Sequence, residues 1–178
     1  CNDHDARTCE GDIAYADAEH CAIVTGTLLI NSPDAEDLAL LHTLREVDGE
    51  LHIEGNEVLT SFSIDTLERV GDSIEIKYNP LLTSFSLDSI RSVGDAYTGW
   101  TAGNTVNVTQ NDALVSFSFN ALESASESLN ITYNAELTSF SFDSLSSVGS
   151  IVSVFENPVL PSFAFDSLES TGWRVGRQ

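Results

Sequence analysis

The chain repeats itself every 23 residues, and that period limits what it can fold into. An Asn with a Leu three residues later recurs at Asn56, Asn79, Asn111, Asn134 and Asn157, in steps of 23, 32, 23 and 23, the long step being one period plus an insertion of 9. The same spacing carries Phe62, Phe85, Phe117, Phe140 and Phe163. It also carries Leu67, Ile90, Leu122, Leu145 and Leu168, and then Val70, Val93, Ala125, Val148 and Thr171. A degenerate earlier copy supplies Leu44 and Val47. A unit this short cannot bury its own apolar face, so it must stack on copies of itself at about 4.8 Å per coil.

Within a coil, Leu51 and Ile53, Ile74 and Ile76, Val106 and Val108, and Leu129 and Ile131 alternate with polar residues, the period-2 signature of a half-buried strand. Ser-Phe-Ser-Phe alternates in the same way, and Asn, Gly and Asp between the strands suit turns. Stacking converts each repeated position into a ladder. The apolar positions become a continuous core, and the five Asn residues become an inward ladder whose amides satisfy one another and the backbone at a bend. The expected fold is a mainly β solenoid with 23-residue coils. Residues 1–8 read as a flexible amino-terminal segment and residues 9–178 as a single solenoid domain. Asp12–Cys21 and Ser32–Leu41 favour short helices that would cap the amino-terminal end, the second opening on Ser32 and Pro33. At the other end Val175 falls where a further strand begins. An open last coil exposes a strand edge, to be covered by Trp173, by continuing chain, or by end-to-end association with a second copy.

Seven basic residues against 28 acidic ones leave a formal net charge of −21, which repels phosphate backbones and anionic lipid surfaces. Nucleic acid is thereby excluded as an expected partner. No segment approaches the ~20 apolar residues of a membrane helix, so direct membrane insertion is not expected either. The three cysteines, Cys1, Cys9 and Cys21, all lie in the first 21 residues. Their clustering suits a local disulfide, Cys9 with Cys21, and an oxidising compartment. Cys1 is then left over. A leading Cys before Asn2, Asp3, His4 and Asp5 matches the mature start of a lipid-anchored bacterial protein; trimming, or a pairing that includes Cys1, gives the same pattern.

The Cys-flanked start, the Thr25-Gly26-Thr27-Leu28-Leu29-Ile30 segment, and coils such as Val70-Gly71-Asp72-Ser73-Ile74-Glu75-Ile76 leading to Asn79-Pro80-Leu81-Leu82 resemble the receptor L domain family. Leu137 to Gly149 is similar to the repeats of fungal cell-wall organisation proteins and bacterial surface lipoproteins in that family. The resemblance spans Cys9 to Gly172. It implies a right-handed, leucine-rich-repeat-like β-helix at the cell surface, with a recognition, adhesion or envelope-structural role and a cell-surface protein or carbohydrate as partner. It transfers no ligand residue, because the shared positions are core and turn positions.

Catalysis has little support in the residues. His4, His20, His42 and His52 are scattered without metal-ligand spacing, and the serines are periodic, as ladders are. No cofactor is expected, with one exception to weigh. Asp65, Asp88, Asn120, Asp143 and Asp166 share a repeat position, so carboxylates would stack and need turn capping or Ca2+ to offset their repulsion. Asn120 favours capping, since Asn caps as well as Asp but ligates calcium less strongly. Ser61 and Ser63, Ser84 and Ser86, Ser116 and Ser118, and Ser139 and Ser141 form an outward grid, which supports an ice-binding face as the alternative function. Asn107 and Asn130 stand in N-glycosylation acceptor triplets, meaningful only in a eukaryotic source. The insertion Asp95 to Thr105 carries Tyr97 and Trp100, and insertions on solenoids commonly lie on the binding face. Tyr78 and Tyr133, each one residue before the Asn ladder, are expected to flank that surface.

Overall fold

The computed structural model describes residues 7–32, 34, 36–94 and 106–171, with the backbone of 175–177. Every strand pairing among the described residues is parallel, and strands one period apart lie side by side. The chain winds as a β-solenoid with three walls. A long-strand wall of eight strands runs from Ile13–Ala14 through Leu51–Glu54, Ile74–Lys77, Val106–Thr109, Leu129–Thr132 and Val152–Phe155 to Val175–Arg177. A valine wall, also of eight strands, runs from Arg7–Cys9 through Arg69–Val70 and Ser92–Val93 to Ser170–Thr171. The phenylalanine wall has four: Ser61–Ser63, Ser84–Ser86, Ser116–Ser118 and Ser139–Ser141.

The alternation read from the sequence decides which side chains point inward. Leu51, Ile53, Ile74, Ile76, Val106, Val108, Leu129 and Ile131 have no exposed surface. Each such side chain contributes about 1.5–3 kcal/mol on burial. Phe62, Phe85, Phe117 and Phe140 stack as expected, with centroids 5.1, 5.0 and 5.5 Å apart. The column loosens at its carboxy-terminal end, where Phe140 and Phe163 are tilted by 37° and only partly buried. A second column, Phe119 on Phe142, stacks at 5.3 Å and meets the first edge to face.

The Asn ladder holds the bend between the long-strand and phenylalanine walls. The Oδ1 of Asn79, Asn111, Asn134 and Asn157 each accepts from the backbone N–H of the preceding ladder Asn, at 3.0–3.2 Å. Each Nδ2 donates to the carbonyl of an inward long-strand residue one coil back, as Asn79 does to Ile53 at 2.9 Å and Asn111 to Ile76 at 2.9 Å. Asn56, Asn79, Asn111 and Asn134 are wholly buried with their polar groups paired. At the opposite bend the coils touch backbone to backbone. A Cβ on Gly149 would sit 1.8 Å from the Ser126 carbonyl oxygen, which explains the glycine closing the Ser-Val-Gly motif there.

Two expectations change at the amino-terminal end. The helical cap expected over Asp12–Cys21 and Ser32–Leu41 is absent: among the described residues there are only 3-10 turns, Tyr15–Asp17 and Ala39–Leu41. These segments are further coils. Ile13 pairs with Leu28, its N–H donates to Thr27 O at 2.9 Å, and Cys21 opens a strand. Alanine-rich composition favours a helix only weakly, and the cross-coil hydrogen bonds available to a stacked segment outweigh it. The first strand also begins at Arg7, two residues before the boundary drawn from the sequence. Pro33, Trp173 and Cys1 lie outside the described residues. No helix among the described residues is long and apolar enough to cross a membrane.

Candidate functional site

The bend after each long strand needs a left-handed residue. Gly55, Tyr78, Gln110, Tyr133 and Glu156, each immediately before a ladder Asn, have φ of 66, 57, 53, 56 and 54°. Glycine is the unstrained choice there, and a non-glycine residue in this region costs about 1–2 kcal/mol. Cross-coil hydrogen bonds lock the geometry: Tyr78 N donates to Gln110 O at 3.2 Å, Gln110 N to Thr132 O at 3.2 Å, and Tyr133 N to Phe155 O at 3.3 Å. The left-handed twist throws these side chains out of the coil. Tyr78 is 52% and Tyr133 51% exposed. They stand two coils apart, at about 9.6 Å for a rise of about 4.8 Å per coil. Phe155 meets Tyr133 edge to face at 5.4 Å. Val58, Leu81, Val115 and Val159, also exposed, continue the apolar character of this corner toward the phenylalanine wall.

Polar residues line the other side of the ridge. Lys77, the only lysine in the chain, donates to Glu75 and lies 3.2 Å from carboxylate oxygens of both Glu54 and Glu75. Desolvation works against its charge, but the two carboxylates outweigh it and raise its pKa. Glu75 also accepts from Asn107 at 3.1 Å. Asn107 and Asn130 are register neighbours on the outer face of the long-strand wall, in one row with Glu75 and Ser153, as the alternation requires.

The remaining sequence candidates separate. Tyr97 and Trp100 lie outside the described residues. Their loop is anchored by Gly94 and Val106 at the start of a long strand, whereas Gln110 follows the end of that strand, about 13 Å away at 3.3 Å per residue. The tyrosines therefore share a corner with each other, at the far end of the long-strand wall from those anchors. Cys9 and Cys21 form a disulfide with Cα atoms 5.8 Å apart. Asp88 acts as the cap of its turn and the next: one oxygen accepts from Ser86 and Ser118 hydroxyls at 3.0 Å, the other from Asn120 N–H at 2.8 Å. Ser63 likewise donates to Asp65, while Asp143 and Asp166 are exposed. Among the described residues no group of His, Cys, Asp or Glu is arranged to hold a metal ion.

The serine rows are in register, Ser61 beside Ser84, Ser116 and Ser139, but Ser63, Ser86 and Ser118 spend their hydroxyls on the Asp caps. His52 is held by Glu50 at 2.6 Å, and His42 Nδ1 by Ala39 O at 3.0 Å. What the residues alone did not disclose is the left-handed backbone under Tyr78 and Tyr133. Its one signal was Gly55 at the same repeat position.

Comparison of the chain with models of known protein families, with curated proteins and with solved structures finds no match.

Proposed function

We propose that this solenoid is a non-enzymatic recognition module, secreted or displayed at the cell surface, that binds an extended carbohydrate along the corner carrying Tyr78 and Tyr133. One observation carries the reading: two half-exposed tyrosines occupy left-handed positions where glycine would relieve strain. Strain kept at exposed positions points to use of the side chain rather than to packing. The rings stand on hydrogen-bonded bends, so little conformational freedom is lost on binding. Two aromatic faces two coils apart suit two sugar rings of one extended chain, and Gln110 between them supplies an amide for hydroxyls.

The resemblance of Leu137 to Gly149 to receptor L domain repeats supports a surface role, as does the Cys9–Cys21 disulfide, since such bonds persist in oxidising compartments. A charge of −21 supports a neutral or cationic partner over nucleic acid. An ice-binding use of the serine face is weaker, because the hydroxyls of Ser63, Ser86 and Ser118 serve the Asp turns.

The test is binding of purified protein to a panel of insoluble cell-wall polysaccharides, with Tyr78→Gly/Tyr133→Gly as the comparison. Glycine keeps the backbone conformation, so the double variant should fold with its unfolding midpoint unchanged or raised. Its affinity should fall by about a hundredfold, the loss of two ring contacts at ~1–1.5 kcal/mol each. Equal binding by the double variant, or no polysaccharide bound by the unaltered protein, would overturn the proposal.

A further inference from the structure

Rings placed one coil apart in this fold spend their faces on each other: Phe62, Phe85, Phe117 and Phe140 stack at 5.0–5.5 Å. Tyr78 and Tyr133 do not, because Gln110 occupies the coil between them. The register of the long strands sets Lys77 beside Thr109 and Thr109 beside Thr132. The residues that follow these three, Tyr78, Gln110 and Tyr133, therefore lie in one line along the solenoid axis. The line is short. At the same left-handed position Gly55 precedes it without a side chain, and Glu156 follows it with a carboxylate. Three successive coils thus present ring, amide and ring, and all three side chains are exposed.

That period selects a ligand geometry. Coils advance by about 4.8 Å each. In a β-1,4-linked chain of glucose or mannose configuration both glycosidic bonds of a residue are equatorial, so the chain is extended and each residue advances by nearly one coil. Alternate residues face the same way, and each ring offers apolar C–H groups to an aromatic face. The first and third residues of such a chain meet Tyr78 and Tyr133, and the hydroxyls of the middle one meet Gln110. α-1,4 and β-1,3 linkages coil the chain, which turns the third residue off the line. Charge narrows the class further. The turns at 54–60, 77–83, 109–115, 132–138 and 155–161 hold Glu54, Glu57, Asp112, Glu136 and Glu156 against one cation, Lys77, which already lies 3.2 Å from oxygens of Glu54 and Glu75. A uronate chain brings like charges onto this edge, and an uncharged chain brings none.

We propose that the corner binds three consecutive residues of an uncharged β-1,4-linked glycan laid along the solenoid axis, the outer two on Tyr78 and Tyr133 and the middle one on Gln110. This rests on the carbohydrate reading above and adds to it the linkage, the length and the charge class. Spacing carries the specificity. Two rings held at a set separation by hydrogen-bonded bends accept a chain whose repeat fits them, and they lose little freedom in doing so.

Titration calorimetry of the full chain with soluble oligosaccharides reads each part. At least one of cellohexaose, β-1,4-linked mannohexaose and the hexasaccharide of β-1,4-linked N-acetylglucosamine should bind about tenfold or more above maltohexaose, laminarihexaose and β-1,4-linked hexamannuronate. In the series that binds, the trisaccharide should gain about tenfold over the disaccharide, which reaches one ring only. Gln110→Tyr/Tyr133→Gln keeps two tyrosines at left-handed positions but brings them one coil apart. It should lose about tenfold in affinity, and its trisaccharide and disaccharide should bind alike. Should that variant misfold, Tyr78→Gly, which keeps the bend, is the second arm and should remove the same trisaccharide gain. Equal binding of maltohexaose or laminarihexaose, equal binding of the mannuronate, or full affinity in the variant with moved rings would overturn this inference and leave a carbohydrate-binding corner in place. So would binding of none of these oligosaccharides while an insoluble polysaccharide is still retained; failure of both would overturn the carbohydrate reading itself.

Discussion

Replacing Asn111 with Ala tests the ladder where it is most enclosed. The Asn111 side chain donates to Ile76 O at 2.9 Å and Thr109 O at 3.1 Å, and accepts from Asn79 N at 3.2 Å and Asn79 Nδ2 at 3.0 Å. Asn79 Nδ2 keeps its bonds to Ile53 O and Lys77 O when Asn111 is truncated. The Asn79 N–H loses its acceptor, and the Ile76 and Thr109 carbonyls lose a donor. At about 1–3 kcal/mol for each orphaned buried group, and with partial relief by strand bonds, the loss is about 3–5 kcal/mol. Asn157 makes the same type of bonds but is only partly buried, so water replaces its amide and Asn157→Ala should cost about 1–2 kcal/mol. Urea unfolding followed by far-ultraviolet circular dichroism reads both. Asn111→Asp adds a sharper control: it keeps an acceptor for Asn79 N–H but turns an anionic oxygen toward two carbonyls. It should therefore be worse than Ala near neutral pH and recover as the pH falls through the raised pKa of that carboxyl. Equal losses for Asn111→Ala and Asn157→Ala, or a loss under about 1 kcal/mol for the former, would refute the idea that the ladder bonds hold the bend.

Phe117→Ala should cost about 3–5 kcal/mol by the same assay, and Phe163→Ala markedly less because its ring is only partly buried. Reducing the Cys9–Cys21 bond should lower stability by about 3 kcal/mol, since it closes a loop with a sequence separation of 12, and the loss should be concentrated in amide exchange of the first coils. Lys77 has a raised pKa, so its contribution is intact below the ordinary lysine value of about 10.4 and is lost as pH climbs through the folded value. The stability difference between the unaltered protein and Lys77→Gln should thus be constant from neutral pH up to that range and shrink above it.

The core columns were legible because a fixed period forces identical positions into register. Asn79 over Asn111 and Phe85 over Phe117 follow from counting once the insertion after Gly94 is allowed for. The amino-terminal coils were misread as helices because their repeat is degenerate: Ala39 stands where Phe belongs, and alanine-rich stretches carry no β pattern to count. The aromatic corner was half legible. Position next to the ladder asparagines can be read from the sequence, but the expectation that Tyr78 and Tyr133 flank the Asp95 to Thr105 insertion missed that its anchors Gly94 and Val106 lie at the other end of the long strand; a tyrosine does not announce the sign of its φ, and only Gly55 at the same position hinted at a left-handed bend.

The central claim is that the tyrosine corner is the recognition surface, and the most direct measurement is backbone amide chemical-shift mapping with a soluble oligosaccharide of whichever polysaccharide the panel selects. The account predicts shifts confined to the bend from Lys77 to Leu81, to Gln110, to Tyr133 and to Phe155, saturating with a single affinity. Shifts centred instead on the Ser61–Ser141 face, on the row of Asn107 and Asn130, or nowhere among the described residues would contradict it.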